Sequence, residues 1–371
     1  MTDWDVAIIG GGPAGLSAAY ESARRGARTL VLEKATHPRY KTCGGGLIGQ
    51  SVTAVADRIT IPADDRIERA DFTHDGRAAF TRTSGRRPLL AMVRRPEFDD
   101  ALRLAAEQAG ATVRQATPVR AVEQDEGGVR IRLAGDETVT AAAAIGADGS
   151  SGVTARHVGV EYGQVDLGLE VELPIGADRQ AQWKGRLLID WGPLPGSYAW
   201  VFPKGDLLTV GVISARGDGE RTKAYLRDFL VRLGLDGIEP VHDSGHLTRC
   251  RTESSPLRRG NVIVAGDAAG LLEPWTREGI SFATRSGALA GAAAAGKDLP
   301  RYERDVTETL VPTMRAGSRL LAVFARHPRL FHNLLRTPPG WRMFERFCHG
   351  ETSFAGTVER FPVRQALRLL G

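Results

Sequence analysis

Asp5-Val6-Ala7-Ile8-Ile9 runs without interruption into Gly10-Gly11-Gly12-Pro13-Ala14-Gly15, and a helical pattern follows through Ala23. The residues before the glycines read as a short buried strand, so G-x-G-x-x-G stands in the strand-turn-helix setting that a dinucleotide site requires. Gly10 permits the tight turn, Gly12 lets a pyrophosphate approach the backbone, and Gly15 allows close helix-strand packing. Pro13 and Ala14 open a helix whose N-terminal amides face the phosphates. A second strand, Thr29 to Leu32, ends at Glu33 with Lys34 beside it. An acid about 20 residues past the glycines accepts hydrogen bonds from the adenosine ribose hydroxyls and disfavours a 2′-phosphate. This stretch alone does not choose between FAD and NAD.

Working outward, 371 residues with 42% hydrophobic content suffice for a large core. The net charge of +5 is carried by arginine far more than lysine, scattered among nearly as many acids, which argues against nucleic acid as a partner. Basic residues thicken from Arg315 to Arg368, where they alternate with Leu, Phe and Trp at roughly helical spacing. That pattern fits a solvated helix face or a peripheral contact with anionic lipid or a diphosphate headgroup. Cys43, Cys250 and Cys348 are odd in number and widely spaced, so neither a disulfide framework nor a metal site is expected. A reducing cytoplasm fits, with no room for an export signal before the first strand. The apolar stretch Gly287 to Gly296 is well below the ~18 residues of a membrane span.

Gly44-Gly45-Gly46-Leu47-Ile48-Gly49 also spells G-x-G-x-x-G, but it follows a polar loop holding Pro38 and Lys41, so it is not expected to bind a second dinucleotide. Two further segments put an aspartate among glycines at the end of a strand. They are Gly146-Ala147-Asp148-Gly149 after Ala141 to Ile145, and Gly266-Asp267-Ala268-Ala269-Gly270 after Asn261 to Ala265. Strand C-terminal ends are where open α/β sheets bind ligands, although an aspartate in a turn also forms there for purely local reasons.

With these segments in order, the chain resembles FAD-dependent enzymes with the glutathione-reductase type of nucleotide fold, within the group of aromatic hydroxylases and geranylgeranyl reductases. Lys41-Thr42-Cys43-Gly44-Gly45-Gly46-Leu47 is similar to the cysteine-glycine loop of the geranylgeranyl reductase family, beside the flavin. Tyr198-Ala199-Trp200-Val201-Phe202-Pro203-Lys204-Gly205 with Val210-Gly211-Val212 is similar to that family's substrate strand pair. Glu273-Pro274-Trp275-Thr276-Arg277-Glu278-Gly279-Ile280 is similar to its loop and helix start near the isoalloxazine. The resemblance implies FAD as cofactor, with Arg95 near the flavin phosphate or ribityl chain and Asp267 on the ribityl chain. It also implies cofactor contacts at Gly46, Leu47, Val119, Asp148, Gly149, Gly266, Pro274, Gly279 and Ile280. In this sequence Tyr40 lies three residues before Cys43, where archaeal members place a tyrosine two before.

The fold class expected is α/β: a Rossmann-like FAD-binding domain over 1–60, 90–160 and 250–300, interleaved with an antiparallel substrate sheet over 61–89 and 161–249. Residues 301–371 form a C-terminal helical region. Leu167 to Ser214 alternates apolar and polar residues between turn signals, which reads as antiparallel strands. Trp183, Trp191, Tyr198, Trp200 and Phe202 are candidates for an apolar substrate tunnel on that sheet, with core packing as the alternative for each. Gly44 to Gly46 have no Cβ and can bring backbone close to a flat ligand.

The reaction implied is reduction of a carbon–carbon double bond in a prenyl or other apolar substrate by hydride transfer from flavin N5. An isolated alkene has no carbonyl to polarise, so the site must supply close approach, exclusion of water and an acid. Cys43, flanked by Gly44 and Gly45, is the candidate for shaping or protonating that site. A thiol of ordinary pKa about 8.5 donates weakly, and a packing or flavin-orienting role is the alternative. The electron donor expected is NAD(P)H or a small redox protein, because no second dinucleotide motif is present. A monooxygenase acting on an aromatic or polyketide-like substrate would share the FAD segments, and a non-catalytic flavin-bound carrier is the third reading.

Overall fold

The structure is a computed structural model that describes residues 2–85, 87–135 and 137–358. The end of the basic stretch that reaches Arg368 lies outside the described residues. Strand Trp4–Ile9 sits at the centre of a parallel sheet, between Thr29–Leu32 and Thr138–Gly146. Val262–Val264 extends the sheet beyond Thr138–Gly146, and Thr112–Arg114 beyond Thr29–Leu32. The buried runs Val6-Ala7-Ile8-Ile9 and Thr29-Leu30-Val31-Leu32 have the unalternating apolarity of strands covered on both faces. Antiparallel strands Val119–Asp125 and Gly128–Leu133 form a hairpin attached to Thr138–Gly146.

Helix Pro13–Ala23 packs against helix Ile280–Ala295, and glycine sets the distance between them. A Cβ on Gly287 would stand 2.1 Å from Ala14 O, and one on Gly291 would stand 2.3 Å from Ala18 O. The alanine-rich stretch that was too short for a membrane span is therefore the close-packing face of a buried helix. No helix among the described residues is long and apolar enough to cross a membrane.

The second sheet runs in the order His242–Arg251, Tyr162–Pro174, Leu207–Ala215, Tyr198–Lys204, Arg186–Trp191, Arg69–His74, Arg77–Thr83. Its pairs are antiparallel except that Arg186–Trp191 lies parallel to Arg69–His74. The hairpin of residues 69–83 arrives from far along the chain and docks parallel, an exception within the antiparallel sheet that the sequence leads one to expect. One sheet face buries Val171, Leu173, Val201 and Val210 against helix Gly219–Leu233. Over the opposite face lie helices Val311–Arg326, Pro328–Arg336 and Pro338–Cys348, whose Phe324, Phe344 and Phe347 pack with Phe72 and Trp191. A small third sheet pairs Leu90–Val93 with both Gly46–Leu47 and Ala63–Ile67.

Candidate functional site

One continuous cavity of about 1340 Å³ runs from the glycine turn, past the Cys43 loop, to the C-terminal helices. It exceeds the ~300–1,000 Å³ usual for a single small ligand. At its first end stand Gly10, Gly12, Pro13 and Ala14 with Glu33, Lys34 and Val119. Gly10 has φ +106, and a Cβ there would lie 2.3 Å from Ala147 O. Gly15 does not line the cavity; a Cβ on it would lie 1.9 Å from Gly10 O, so its role is helix-strand packing. Above Gly12 the space is open, with Arg39 Nη2 at 3.7 Å from a built Cβ as the neighbour within reach. Open backbone at a helix N-terminus is what a pyrophosphate needs.

Glu33 is buried and accepts hydrogen bonds from Gly11 N (2.5 Å) and Ala35 N (2.9 Å). Arg39, which the sequence reading did not single out, places Nε 3.6 Å from Glu33 and Nη1 3.3 Å from Asp99, and donates to Gly11 O at 3.2 Å. Arg95 lines the cavity, and Asp99 fixes it by two 2.8 Å hydrogen bonds one helical turn away. That bidentate geometry aims the guanidinium and leaves Asp99, fully buried, neutralised.

The two glycine-flanked aspartates part company. Asp148 spends its carboxylate on the start of helix Val153–Val158, accepting from Thr154 N at 3.1 Å and from the Thr154 hydroxyl. Its carboxylate is spent on the turn, although Asp148 and Gly149 both line the cavity. Asp267 instead faces the cavity with His246 Nε2 3.7 Å away. Burial acts to raise its pKa, but His246, Lys41 and Arg95 outweigh that and hold the carboxyl below its usual range. Leu47, Gly266 and Pro274 stand behind the cavity wall: Leu47 and Gly266 are buried, and Pro274 O accepts from Gln164 at 3.0 Å.

Gly279 and Ile280 bring the N-terminus of helix Ile280–Ala295 to the cavity. Glu278 already accepts from Ser281 N (2.7 Å), Ser281 Oγ (2.8 Å) and Ser51 Oγ (3.1 Å), so one of the helix amides is committed to a side chain. Burial raises the Glu278 pKa, and its hydrogen bonds from Ser281 and Ser51 act against that rise.

The Cys43 loop is anchored from below. Cys43 N donates to Glu170 Oε1 at 3.1 Å, Cys43 O accepts from Lys204 Nζ at 3.1 Å, and Gly45 N donates to Cys43 Sγ at 3.4 Å. Lys204, 1% exposed, also pairs with Glu172 at 3.1 Å. The glycines have protein neighbours to satisfy as well as a ligand: a Cβ on Gly44 would press on the Phe202 ring at 3.0 Å, and one on Gly45 on Val93 O at 2.2 Å. The stretch Gly44–Gly49 follows coil and contains a two-residue strand, Gly46–Leu47, that pairs antiparallel with Leu90–Val93, so it is not the parallel strand-turn-helix unit of a dinucleotide site.

Past this loop the walls turn apolar. Leu187, Ile189 and Trp191 on one strand and Tyr198, Trp200 and Phe202 on the next point to the same face, as a period of two requires. Trp183 does not join them. It is buried in helix Ala177–Trp183 against Val171 and Leu173 on the opposite face, so the tunnel role expected for it is corrected to core packing. Leu320, Val323, Phe331 and Phe344 close the arm from the helical side.

Glu170 is the cavity-lining acid that motif reading missed. The signal was available in Asp166-Leu167-Gly168-Leu169-Glu170-Val171-Glu172, where acids and glycine occupy every second position of a strand. Asp166 is paired with Arg277 at 3.1 Å and Glu172 with Lys204, whereas Glu170 keeps one amide donor and faces the cavity. Burial pushes its pKa up to about 7 against the opposing pull of Lys204.

A glycine turn open to phosphates, a ribose-side carboxylate, cations beside the pyrophosphate path and a continuous apolar arm together define a flavin-dependent oxidoreductase that binds FAD. Residues 3–184 match the family model described as an FAD binding domain. The chain is 31% identical to digeranylgeranylglycerophospholipid reductase 3 of Methanosphaera stadtmanae, over 78% of this chain and 77% of that one. It is 27% identical to the chloroplastic geranylgeranyl diphosphate reductase of Arabidopsis thaliana, over 93% of this chain and 77% of that one. Among solved structures, a geranylgeranyl bacteriochlorophyll reductase-like protein from Thermoplasma acidophilum superposes with a TM-score of 0.80 over 99% of both chains at 22% identity. A flavin-dependent brominase superposes with 0.77 over 99% of both at 18%, a likeness of fold alone. The chain belongs to the geranylgeranyl reductase family of FAD-dependent oxidoreductases.

Proposed function

We propose that this protein reduces carbon–carbon double bonds in a prenyl, geranylgeranyl-like or other apolar substrate. The observation that carries the reading is the continuity of the nucleotide cavity with an arm walled by Phe72, Trp191, Trp200, Phe202, Phe331 and Phe344. A long hydrocarbon gains about 25 cal/mol per Å² on leaving water for such walls, which supplies binding energy without polar contacts. Bound FAD in its reduced form supplies the hydride. The chain's own residues hold the alkene against the Cys43 loop and exclude water. Gly12, Glu33, Arg95 and Asp267 hold the cofactor along the other half of the cavity. Both curated reductases named above act, by name, on geranylgeranyl compounds, which supports the substrate class.

Leu334 and Met343 line the cavity and are also 47% and 46% exposed, on helices that expose Arg329, Arg336 and Arg342. An apolar rim with cations beside it suits uptake of the substrate from an anionic membrane surface. The electron donor proposed is NAD(P)H or a small redox protein.

The test is anaerobic. FAD-loaded protein is reduced with dithionite, mixed with a geranylgeranyl-chain substrate, and followed by flavin reoxidation and product mass. Reoxidation with a gain of two hydrogens per event is the expected result. Reduced flavin that persists until oxygen is admitted, followed by oxygen incorporation, would replace this reading with a monooxygenase.

A further inference from the structure

We infer that Glu170 is the proton donor of this site, delivering its carboxyl proton to the substrate carbon that does not receive the hydride; this rests on the ene-reductase reading above. Glu170 occupies the floor of the cavity where its two halves meet. On one strand neighbour its partner is Gly211, whose missing Cβ makes room for the Trp200 ring, 2.2 Å from where that Cβ would stand. On the other neighbour its partner is Ser244, whose hydroxyl is engaged by Tyr40 (3.1 Å) and Thr42 (2.9 Å) of the Cys43 loop. The carboxyl therefore lies between an aromatic wall of the apolar arm and the Cys43 loop.

Among the described residues the hydrogen bond to this carboxyl comes from Cys43 N at Oε1. Among the described residues no cation forms an ion pair with it: Lys204 is taken by Glu172 and by Cys43 O, and Arg277 by Asp166. At 2% exposure such a carboxyl holds its proton to near neutrality, up to about 7. The groups facing it are Lys204 and Lys41, which favour the anion, and Glu172, which disfavours it. Burial raises the Tyr40 pKa, and the nearby Glu170 charge adds to that rise. A donor with a pKa near working pH is suited to general acid catalysis. Cys43 is then the residue that shapes the loop, held by its backbone on both sides.

The balance is simple. The π bond of the alkene breaks and two C–H bonds form. FAD held by Gly12, Glu33, Arg95 and Asp267 would, in its reduced form, supply the hydride to one carbon and be left oxidised; Glu170 gives the proton to the other, and its carboxylate is reprotonated from solvent before the next turnover.

The test compares wild type, Glu170→Gln and Glu170→Ala, each loaded with FAD. Glutamine keeps an acceptor for Cys43 N but has no acidic proton; alanine removes both. In wild type, an infrared carboxylic-acid band that titrates near neutral pH and is missing from Glu170→Gln locates the proton without turnover. Alkene-driven flavin reoxidation in wild type should slow as pH rises through about 7. In Glu170→Gln it should be slower by about 10²-fold or more and lose that pH dependence, with FAD content unchanged. Wild-type rate and pH profile in Glu170→Gln, with loss only in Glu170→Ala, would overturn the inference and leave Glu170 as a loop anchor. Failure of any alkene to reoxidise wild-type flavin would overturn the ene-reductase reading and this inference with it.

Discussion

Gly12 and Gly15 stand three residues apart in one turn yet answer to different demands. A Cβ on Gly15 would meet Gly10 O at 1.9 Å, backbone against backbone, whereas one on Gly12 meets open space toward the cavity. Gly15→Ala should therefore destabilise the cofactor-free protein, by about 1–3 kcal/mol or more, as overpacking of rigid neighbours does. Gly12→Ala should melt as wild type does without cofactor but copurify with much less FAD, because its methyl occupies the pyrophosphate approach. Thermal melts of both apo proteins and flavin-to-protein absorbance ratios check this, and equal apo stability for the two would refute the division of roles. At Cys43 the loop is held through main-chain atoms by Glu170 and Lys204. Cys43→Ser should accordingly keep its FAD and slow single-turnover reoxidation less than Glu170→Gln does; a larger loss in the serine variant would return the proton to the thiol.

The strand Tyr162–Pro174 shows how one element divides its labour by period. Val171 and Leu173 enter the core under helix Gly219–Leu233, while Asp166, Glu170 and Glu172 turn to the face that meets the cavity. Burying Glu170 makes the fold pH-sensitive. A carboxyl whose folded pKa is about 7, against an ordinary 4.5, stabilises the fold fully below pH 4.5 and loses that contribution as pH rises to 7. At about 1.4 kcal/mol per pH unit the interval is worth at most roughly 3–4 kcal/mol. Urea midpoints measured between pH 5 and 8 should fall with pH in wild type and fall less in Glu170→Gln; parallel slopes would deny the burial its cost. Periodicity and glycine chemistry made the nucleotide strands, the Gly10–Gly15 turn and the aromatic strand face legible, because each is a local rule. Trp183 was misread because it sits at the end of a short helix, where no strand alternation assigns a face. Arg39 was missed because its role arises only when residues 11, 33 and 99 meet across the fold, and Glu170 because the alternation that marks its strand face does not tell which acid stays unpaired beside residue 43.

At the scale of the whole molecule, function depends on three chain regions closing one cavity: the nucleotide sheet, the second sheet and the C-terminal helices. None of them encloses the apolar arm alone. The hairpin of residues 69–83 contributes Phe72, the 186–191 strand contributes Leu187, Ile189 and Trp191, and the helices contribute Leu320, Phe331 and Phe344. A change in the middle of that arm should separate cofactor binding from substrate length. Ile189 faces the cavity between Leu187 and Trp191 and is partly exposed to it, so a larger side chain there has empty space to fill before it strains the sheet. Ile189→Trp should bind FAD as wild type does and leave a short prenyl substrate turning over at a similar rate. The same variant should raise KM for a geranylgeranyl-length substrate by about tenfold or more, since every 1.4 kcal/mol of excluded contact is a factor of ten. Equal losses for short and long chains would mean that the arm does not receive the chain, and that the aromatic face serves only to join the sheet to its helical cover.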